Sequence, residues 1–431
     1  MWRIAAPMML SNVSVPLLGM VDTGVTGHLE SAVYLAAVAI GSTIFGFLYG
    51  GMNFLRMGTT GIAAQCYGAQ DDDGLRVALG QALVVSLAIA LLLILLQAPL
   101  GELAMRLLGP EIEVRRFAAE YFSIRIWSAP ATLANFALIG WFVGLQNARV
   151  PLTIVLVTNL TNILLDLLFV VGLGMKVDGV AMASVIAEFS GLATGLAFAV
   201  AELRHRGGSF DVRRLTTFDE YSEFFSINAN LFIRTIALMC AFAFITAVGA
   251  RMGELVLAVN AVLLNLLYLV SFALDGLAHA AEALVGKSAG ARNRAALQRS
   301  VQLTLYWSLW FAIGFSALFW VAGPAIIRLL TDLPEIIDAS LRYLPWMVAA
   351  PVIAVWAYLY DGVFVGATRA REMRNIMVIS TFAIFVPAWF VFRPLGNHGL
   401  WLAFSIFMAS RGIGMHYYYR RRVLPGIQAG S

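Results

Sequence analysis

Residues 76–99 read RVALGQALVVSLAIALLLILLQAP, and no charged side chain occurs between Arg76 and Glu102. At a rise of about 1.5 Å per residue, such a run is long enough for a helix to cross ~30 Å of hydrocarbon. Comparable runs recur along the whole chain, near 3–25, 33–57, 76–99, 119–144, 152–174, 178–202, 223–249, 255–281, 301–323, 341–366, 375–394 and 397–418. Hydrophobic residues make up 60% of the 431 and charged residues only 13%, with a mean hydropathy of +0.82. A soluble domain carries about 25% charged residues. The alternating pattern of membrane strands is missing, which argues against a barrel. The first run is longer than a signal-peptide core and has no A-x-A-like cleavage site, so it reads as the first span. The expectation is an all-α membrane protein of twelve transmembrane helices.

Loop charges orient these helices. Arg204, Arg206, Arg213, Arg214, Lys287, Arg292, Arg294, Arg299, Arg369, Arg371, Arg374 and Arg420 to Arg422 fall on one side. The opposite loops hold fewer cations, and there Glu102, Glu111, Glu113 and Glu120 surround the largest group. The positive-inside rule places both termini and the loop 203–222 in the cytoplasm. That loop, RHRGGSFDVRRLTTFDEY at its centre, is the longest polar segment and lies at the midpoint of the chain. The chain also repeats across it. Phe142-Val143-Gly144 and Ala148-Arg149 return 222 residues later as Phe364-Val365-Gly366 and Ala370-Arg371, and Gly68-Ala69 returns as Gly290-Ala291. Six helices per copy is even, so the copies enter from the same side and form two lobes related by a pseudo-twofold axis along the membrane normal. The organisation expected is a lobe at 1–202, a linker at 203–222, a second lobe at 223–418 and a tail at 419–431.

A carboxylate at mid-membrane costs about 2.5–3.5 kcal/mol on insertion scales, so each one asks for a reason. Asp22, Asp166, Glu188, Asp275, Glu282 and Asp361 fall inside spans, whereas Asp71 to Asp73, Asp178 and Asp332 fall in loops and read as solvated. Asn159, Asn162 and Asp166 share one helical face by their spacing of three and four. Asp22 in the first span, Asp166 in the fifth and Ser184 in the sixth lie at a similar depth below the outer boundary. Three polar groups on three helices at one level form a candidate pocket. Carboxylate and amide oxygens are hard ligands suited to Na⁺, and the same acids can take protons. Two carboxylates in one pocket repel when both are charged, which favours holding a proton. The alternative for Asn and Ser is helix-to-helix glue. Glu188, one turn past Ser184, is either a neighbour of this pocket or structural. Asp275 and Asp361 sit in the inner third of their spans. They either line a cytoplasm-facing cavity or pair with Arg234, Arg411 or helix ends. Pro7 and Pro16 interrupt the first span, as a bendable helix or a static kink.

Several activities are excluded. Gly286-Lys287-Ser288 lacks the glycine that a phosphate loop needs at position 281, which is alanine here. No HExxH occurs, and His28, His205, His279, His398 and His416 are scattered. Cys66 and Cys240 lie in different halves and do not suggest a disulfide. The net charge of +4 comes from loop arginines and is no nucleic-acid footprint. The deep arginines Arg56, Arg125, Arg234 and Arg411 look dispersed, which argues against a pyrophosphate-lipid flippase.

Long ordered segments nevertheless have a familiar cast: PMMLSNVSVPLLGMVDTGVTGHL, FLRMGTTGIAAQCYGA, SAPATLANFALIGWFVGLQNAR, NILLDLLFVVGLGM, LDGLAHAAEALVGKSAGAR and DGVFVGATRAREMRN. In these the chain resembles the multidrug and toxic compound extrusion (MATE) family, and its DinF branch most closely. The resemblance implies two lobes around a central cavity in a bacterial inner membrane. It implies export of lipophilic, often cationic, small molecules by alternating access against an inward flow of H⁺ or Na⁺, with H⁺ favoured. No cofactor beyond that ion, no ATPase subunit and a monomer are expected. The family's cation site carries over to Asp22, Asn162, Asp166 and Ser184, where the family often has Thr in place of Ser184. Pro7 resembles the family's helix-bending proline. Asp361 lies in a helix comparable to one that carries an acid in other branches.

Overall fold

The computed structural model describes residues 1–27, 31–209, 212–217 and 221–426, with the backbone alone for 15–23, 25, 26, 212 and 216. Helix is the only regular structure among them. This follows from the solvent: in hydrocarbon, a helix satisfies its own backbone hydrogen bonds. In the first half run α1 (Trp2–Gly27), α2 (Ala32–Gly51), α3 (Phe54–Ala69), α4 (Asp72–Leu95), α5 (Gln97–Leu108), α6 (Ile112–Arg125), α7 (Ala129–Gly144), α8 (Arg149–Asp166) and α9 (Val177–His205). A short α10 (Val212–Thr216) lies in the linker. The second half has α11 (Ser222–Arg251), α12 (Glu254–Gly290), α13 (Arg294–Leu330), α14 (Pro334–Gly366), α15 (Ala370–Val378), α16 (Val386–Phe392) and α17 (Asn397–Tyr418). Some abut to form longer rods, such as Ala32–Ala69 and Ile112–Gly144. Ten rods among the described residues are long and apolar enough to cross a membrane. Together with α1 and α17, of 26 and 22 residues, they make up the twelve that hydropathy predicts. Several helices outrun the expected spans. Sequence hydropathy marks 301–323, but α13 covers Arg294–Leu330, because helical hydrogen bonding does not stop where the hydrocarbon does.

The apolar surface points outward. Leu87, Leu91 and Leu95, four residues apart on α4, are 60%, 56% and 72% exposed. In water this stripe would be a defect, whereas in lipid it is the solvated face.

The chain divides into two compact units, Leu10–Phe224 and Met1–Met9 with Phe225–Ser431. The first nine residues therefore cluster with the second half, not with the 1–202 lobe to which sequence assigns them. Packing gives the reason: Trp2 stacks edge-on against Trp307 at 5.0 Å, and Gly276 on α12 leaves room for Met9 and the Ala5 carbonyl.

Within the first unit, α3 and α7 meet backbone to backbone. A Cβ on Gly140 would overlap the Arg56 carbonyl oxygen, and one on Gly144 would meet the Ala64 amide nitrogen at 2.8 Å. Within the second unit, α12 and α14 meet in the same manner. Gly362 faces the Ala278 carbonyl, and Gly366 faces the Glu282 carbonyl and the Gly286 nitrogen. Every partner is displaced by the same 222 residues. So are the left-handed residues after the helices: Gln70 (φ 57) matches Arg292 (φ 51), and Gln146 (φ 63) matches Thr368 (φ 51). Asp71 caps α4 by accepting from the Gly74 nitrogen at 2.8 Å, and Asn293 caps α13 by accepting from the Ala296 nitrogen at 2.9 Å. The repeat is thus built into turns and caps as well as letters.

The Asp71–Asp73 run is not merely solvated, as its loop position suggests. Beyond the Asp71 cap, Asp72 pairs with Arg206 at 3.4 Å and Asp73 accepts from the Ser209 nitrogen at 2.7 Å. Beside them Arg76 donates to the carbonyls of Leu203 (2.6 Å), Arg206 (3.1 Å) and Gly207 (3.0 Å). The Leu203 carbonyl is one that the helix end leaves unmet and the other two follow the helix, so one arginine closes α9 and fastens the start of the linker. On the opposite set of loops, Arg106 and Arg115 bond to Glu102 and hold its carboxyl below the usual range.

The glycine contacts can be tested. Gly140→Val and Gly362→Val should each cost about 1–3 kcal/mol through overpacking, read as a lower melting temperature in detergent. Gly314→Val, where a Cβ meets nothing within 4 Å, should leave the melting temperature unchanged.

Candidate ion-coupling site

The candidate site is built on α8, whose faces are sorted by polarity. Leu160 and Leu164 are 60% and 58% exposed, while Asn162 and Asp166 on the other face are 2% and 0% exposed. A polar face turned inward and a leucine face turned outward is what a lipid solvent selects. Asp166 is the last α-helical residue before a π-helical turn, Leu167–Gly172. Such turns insert an extra residue into a helix and are frequent at functional sites.

Asn162 Nδ2 donates to Ser184 Oγ on α9 at 3.2 Å. This joins two of the residues that sequence grouped together, and Asp166 stands one turn further along the same face. Helices α8 and α9 approach closely because α9 has glycine at the contact: a Cβ on Gly195 would meet Leu138 and Ile154 at about 3 Å. The side chain of Asp22 lies outside the described residues, as does that of Pro16. The backbone of α1 runs helically through Pro7 to Gly27.

Asn159 has a different task. Its Nδ2 donates to the carbonyl and the hydroxyl of Ser14, both at 3.2 Å, and so holds α1 against α8. Glu188 turns toward α7. Asn135 Nδ2 donates to its carboxylate and to its backbone carbonyl, both at 3.1 Å, and Arg125 faces it electrostatically. Nearby, the Tyr49 and Ser128 hydroxyls share a hydrogen bond of 3.0 Å. Sequence reasoning singled out Glu188 but missed Asn135, Tyr49 and Ser128. Neutral amides and hydroxyls cost less in hydrocarbon than acids, so a search by insertion cost passes over them.

In the second unit Asp361 does not stand free. Arg234 on α11 and Arg411 on α17 both donate to its Oδ2, Arg411 at 2.8 Å. Of the two alternatives open from sequence, the ion pair is the one present. Two of the four deep arginines therefore converge, although they lie 177 residues apart in sequence. Asp275, half-buried on α12, acts electrostatically on Arg411 and Tyr358. The positions matching Asp22 and Asp166 by the repeat are Phe244 and Ala388. Another buried set, reciprocal bonds between the Asn260 and Asn397 amides at 2.9 Å with Trp401 donating to Asn260 at 3.0 Å, stitches α12 to α17.

Comparison with known proteins places this geometry. The sequence model of the MatE family matches twice, over residues 7–168 and 231–390, once in each half. DNA damage-inducible protein F of Escherichia coli (strain K12) is 43% identical over 421 residues, covering 98% of this chain and 92% of that protein. Multidrug export protein MepA of Staphylococcus aureus (strain NCTC 8325 / PS 47) is 21% identical, covering 92% and 87%. A solved structure described as the outward-facing conformation of a multidrug resistance MATE family transporter of the MOP superfamily superposes with a TM-score of 0.90. It is 19% identical and covers 99% of this chain and 96% of that one, a likeness of fold.

The two asparagines on α8 should separate in experiment. Asn159→Ala, which frees Ser14, should lower the melting temperature and leave ion dependence alone. Asn162→Ala and Ser184→Ala should instead shift the pH or Na⁺ dependence of transport, with Ser184→Thr near wild type. The measurement is transport against external pH and Na⁺, with melting curves of the same preparations.

Proposed function

Because this chain belongs to the MatE family, we propose that it is a secondary exporter of small lipophilic xenobiotics, often cationic, driven by inward proton flow through alternating access. It is a multi-pass transporter, not an enzyme. Export as the direction of transport is supported by what its relatives are named for, multidrug export and multidrug resistance. The observation that carries the coupling site is the buried Asn162–Ser184 hydrogen bond one turn from the buried Asp166.

In this reading a proton from outside enters the pocket of Asp22 and Asp166, held by Asn162 and Ser184. The drive is adequate. One charge crossing 100 mV is worth about 2.3 kcal/mol, and one pH unit about 1.4. Together they sustain a concentration ratio of roughly several hundredfold for one proton per neutral substrate. Two nearby acids favour a proton over sodium, although the same oxygens suit Na⁺. Both termini and the linker face the cytoplasm of the inner membrane, and the monomer is the working unit.

Proteoliposomes with ΔpH and ΔNa⁺ imposed separately test this. Dye efflux should follow ΔpH alone and should be lost in Asp22→Asn. Efflux that follows ΔNa⁺ replaces the proton, and unchanged efflux in Asp22→Asn removes Asp22 from coupling. Pro7→Ala should slow turnover while leaving dye affinity within about twofold, since a proline acts on helix bending and not on the ligand.

A further inference from the structure

The second unit contains a crevice of about 330 Å³ between α11 and the segment 381–386, lined by Cys240, Ala241, Phe244, Thr381, Phe385 and Val386. Its size falls at the lower end of small-molecule sites. By the 222-residue repeat, Phe244 stands for Asp22 and Thr381 for Asn159, so the crevice is the apolar counterpart of the acidic pocket.

One layer of buried side chains, Ala237 and Phe407, separates the crevice from the buried arginine pair. Arg234 and Ala241 lie seven residues apart on α11, two turns and about 10 Å along one face. Between them the Ala237 carbonyl accepts from the Thr381 hydroxyl at 3.4 Å. On the other wall Phe385 packs on Phe407 with ring centroids 5.5 Å apart, and the Arg411 guanidinium lies over Phe407 at 5.3 Å.

That pair is rich in unused donors. Each guanidinium offers five N–H groups, yet both bond to the same oxygen of Asp361. A further contact of Arg411 is the Met408 sulfur at 3.2 Å. Buried Nε atoms of Arg234 and Arg411, and Oδ1 of Asp361, have no hydrogen-bond partner among the described residues. Buried donors without acceptors are costly, and an acceptor-only, multidentate group answers them best.

We propose that the second unit binds small anionic amphiphiles, with an apolar body in the crevice and a carboxylate or sulfonate on Arg234 and Arg411 in exchange for Asp361. This rests on the exporter reading only in taking the ligand to be a transported molecule. It adds anions to a substrate range otherwise expected to be cationic.

The test is equilibrium binding of 1-pyrenebutyrate to the purified full-length protein in detergent, followed by fluorescence anisotropy. The same ring and linker bearing a trimethylammonium head serves as the control. The carboxylate should bind at least about tenfold more tightly than the cation, the worth of a charge-assisted hydrogen bond. Ala247→Trp, at the exposed rim of the crevice, should abolish binding without loss of melting temperature. Arg411→Gln should weaken binding by about tenfold or more. Asp361→Asn removes the competing carboxylate and should tighten binding, whereas a purely structural triad predicts the opposite. Equal affinity for the two head groups, or binding indifferent to Ala247→Trp, overturns the proposal. Displacement of the probe by phosphatidylglycerol but not phosphatidylcholine assigns the site to membrane lipid and also overturns it. Asp22→Asn should leave 1-pyrenebutyrate binding unchanged while stopping export, so the two readings fail separately.

Discussion

In hydrocarbon no hydrophobic force drives helix against helix, because the lipid is as apolar as the side chains. What remains is close packing and hydrogen bonding. The contact on which each unit depends is therefore backbone on backbone, where Gly140 and Gly144 of α7 rest against α3 and Gly362 and Gly366 of α14 rest against α12. Here a missing Cβ does work that a buried leucine does in water. The contact also brings polar backbone near polar backbone with no solvent to separate them. Small residues at these places set how near the helices come, and so fix where the side chains of α8, α9, α11 and α17 are presented.

The two copies share this scaffold but not its chemistry. Turns, caps and glycine contacts repeat at 222 residues, down to the left-handed φ of Gln70 and Arg292. The functional letters diverge on that constant frame: Asp166 corresponds to Ala388, and Asp361 corresponds to Ile139. One unit buries an acid beside an amide and a hydroxyl. The other buries two arginines with their own counter-ion. A buried guanidinium without a partner costs several kcal/mol, so Asp361 is first of all what permits Arg234 and Arg411 to be there.

The fold was legible because a membrane span writes itself locally, in some twenty consecutive residues, and loop arginines orient it. The Asn159, Asn162 and Asp166 face was legible for the same reason, being one helix read at spacings of three and four. Contacts between distant helices were not. Nothing in the letters around Arg234 names Asp361 or Arg411, and the arginines looked dispersed because linear distance stood in for spatial distance. Spacing puts Asn159 on the Asp166 face, but it does not name Ser14 on α1 as the partner of its amide. The aspartates at 71–73 read as solvated because a loop is where water is expected, yet a linker needs fastening too, and they supply it.

Helix α1 is shared between the two units. Its first nine residues belong to one compact unit and the rest to the other. The chain crosses from one unit to the other between Met9 and Leu10, inside this helix, and again between Phe224 and Phe225. A helix resists bending through its i to i−4 hydrogen bonds, and Pro7 cannot donate the one due to Arg3. That missing bond lies two residues before the first crossing. Further along, Asn159 grips Ser14 from α8, four residues after the boundary and on the helix that bears Asp166. On one side of Pro7 and Met9, α1 is thus hydrogen-bonded to α8, and on the other it packs against α12 and α13.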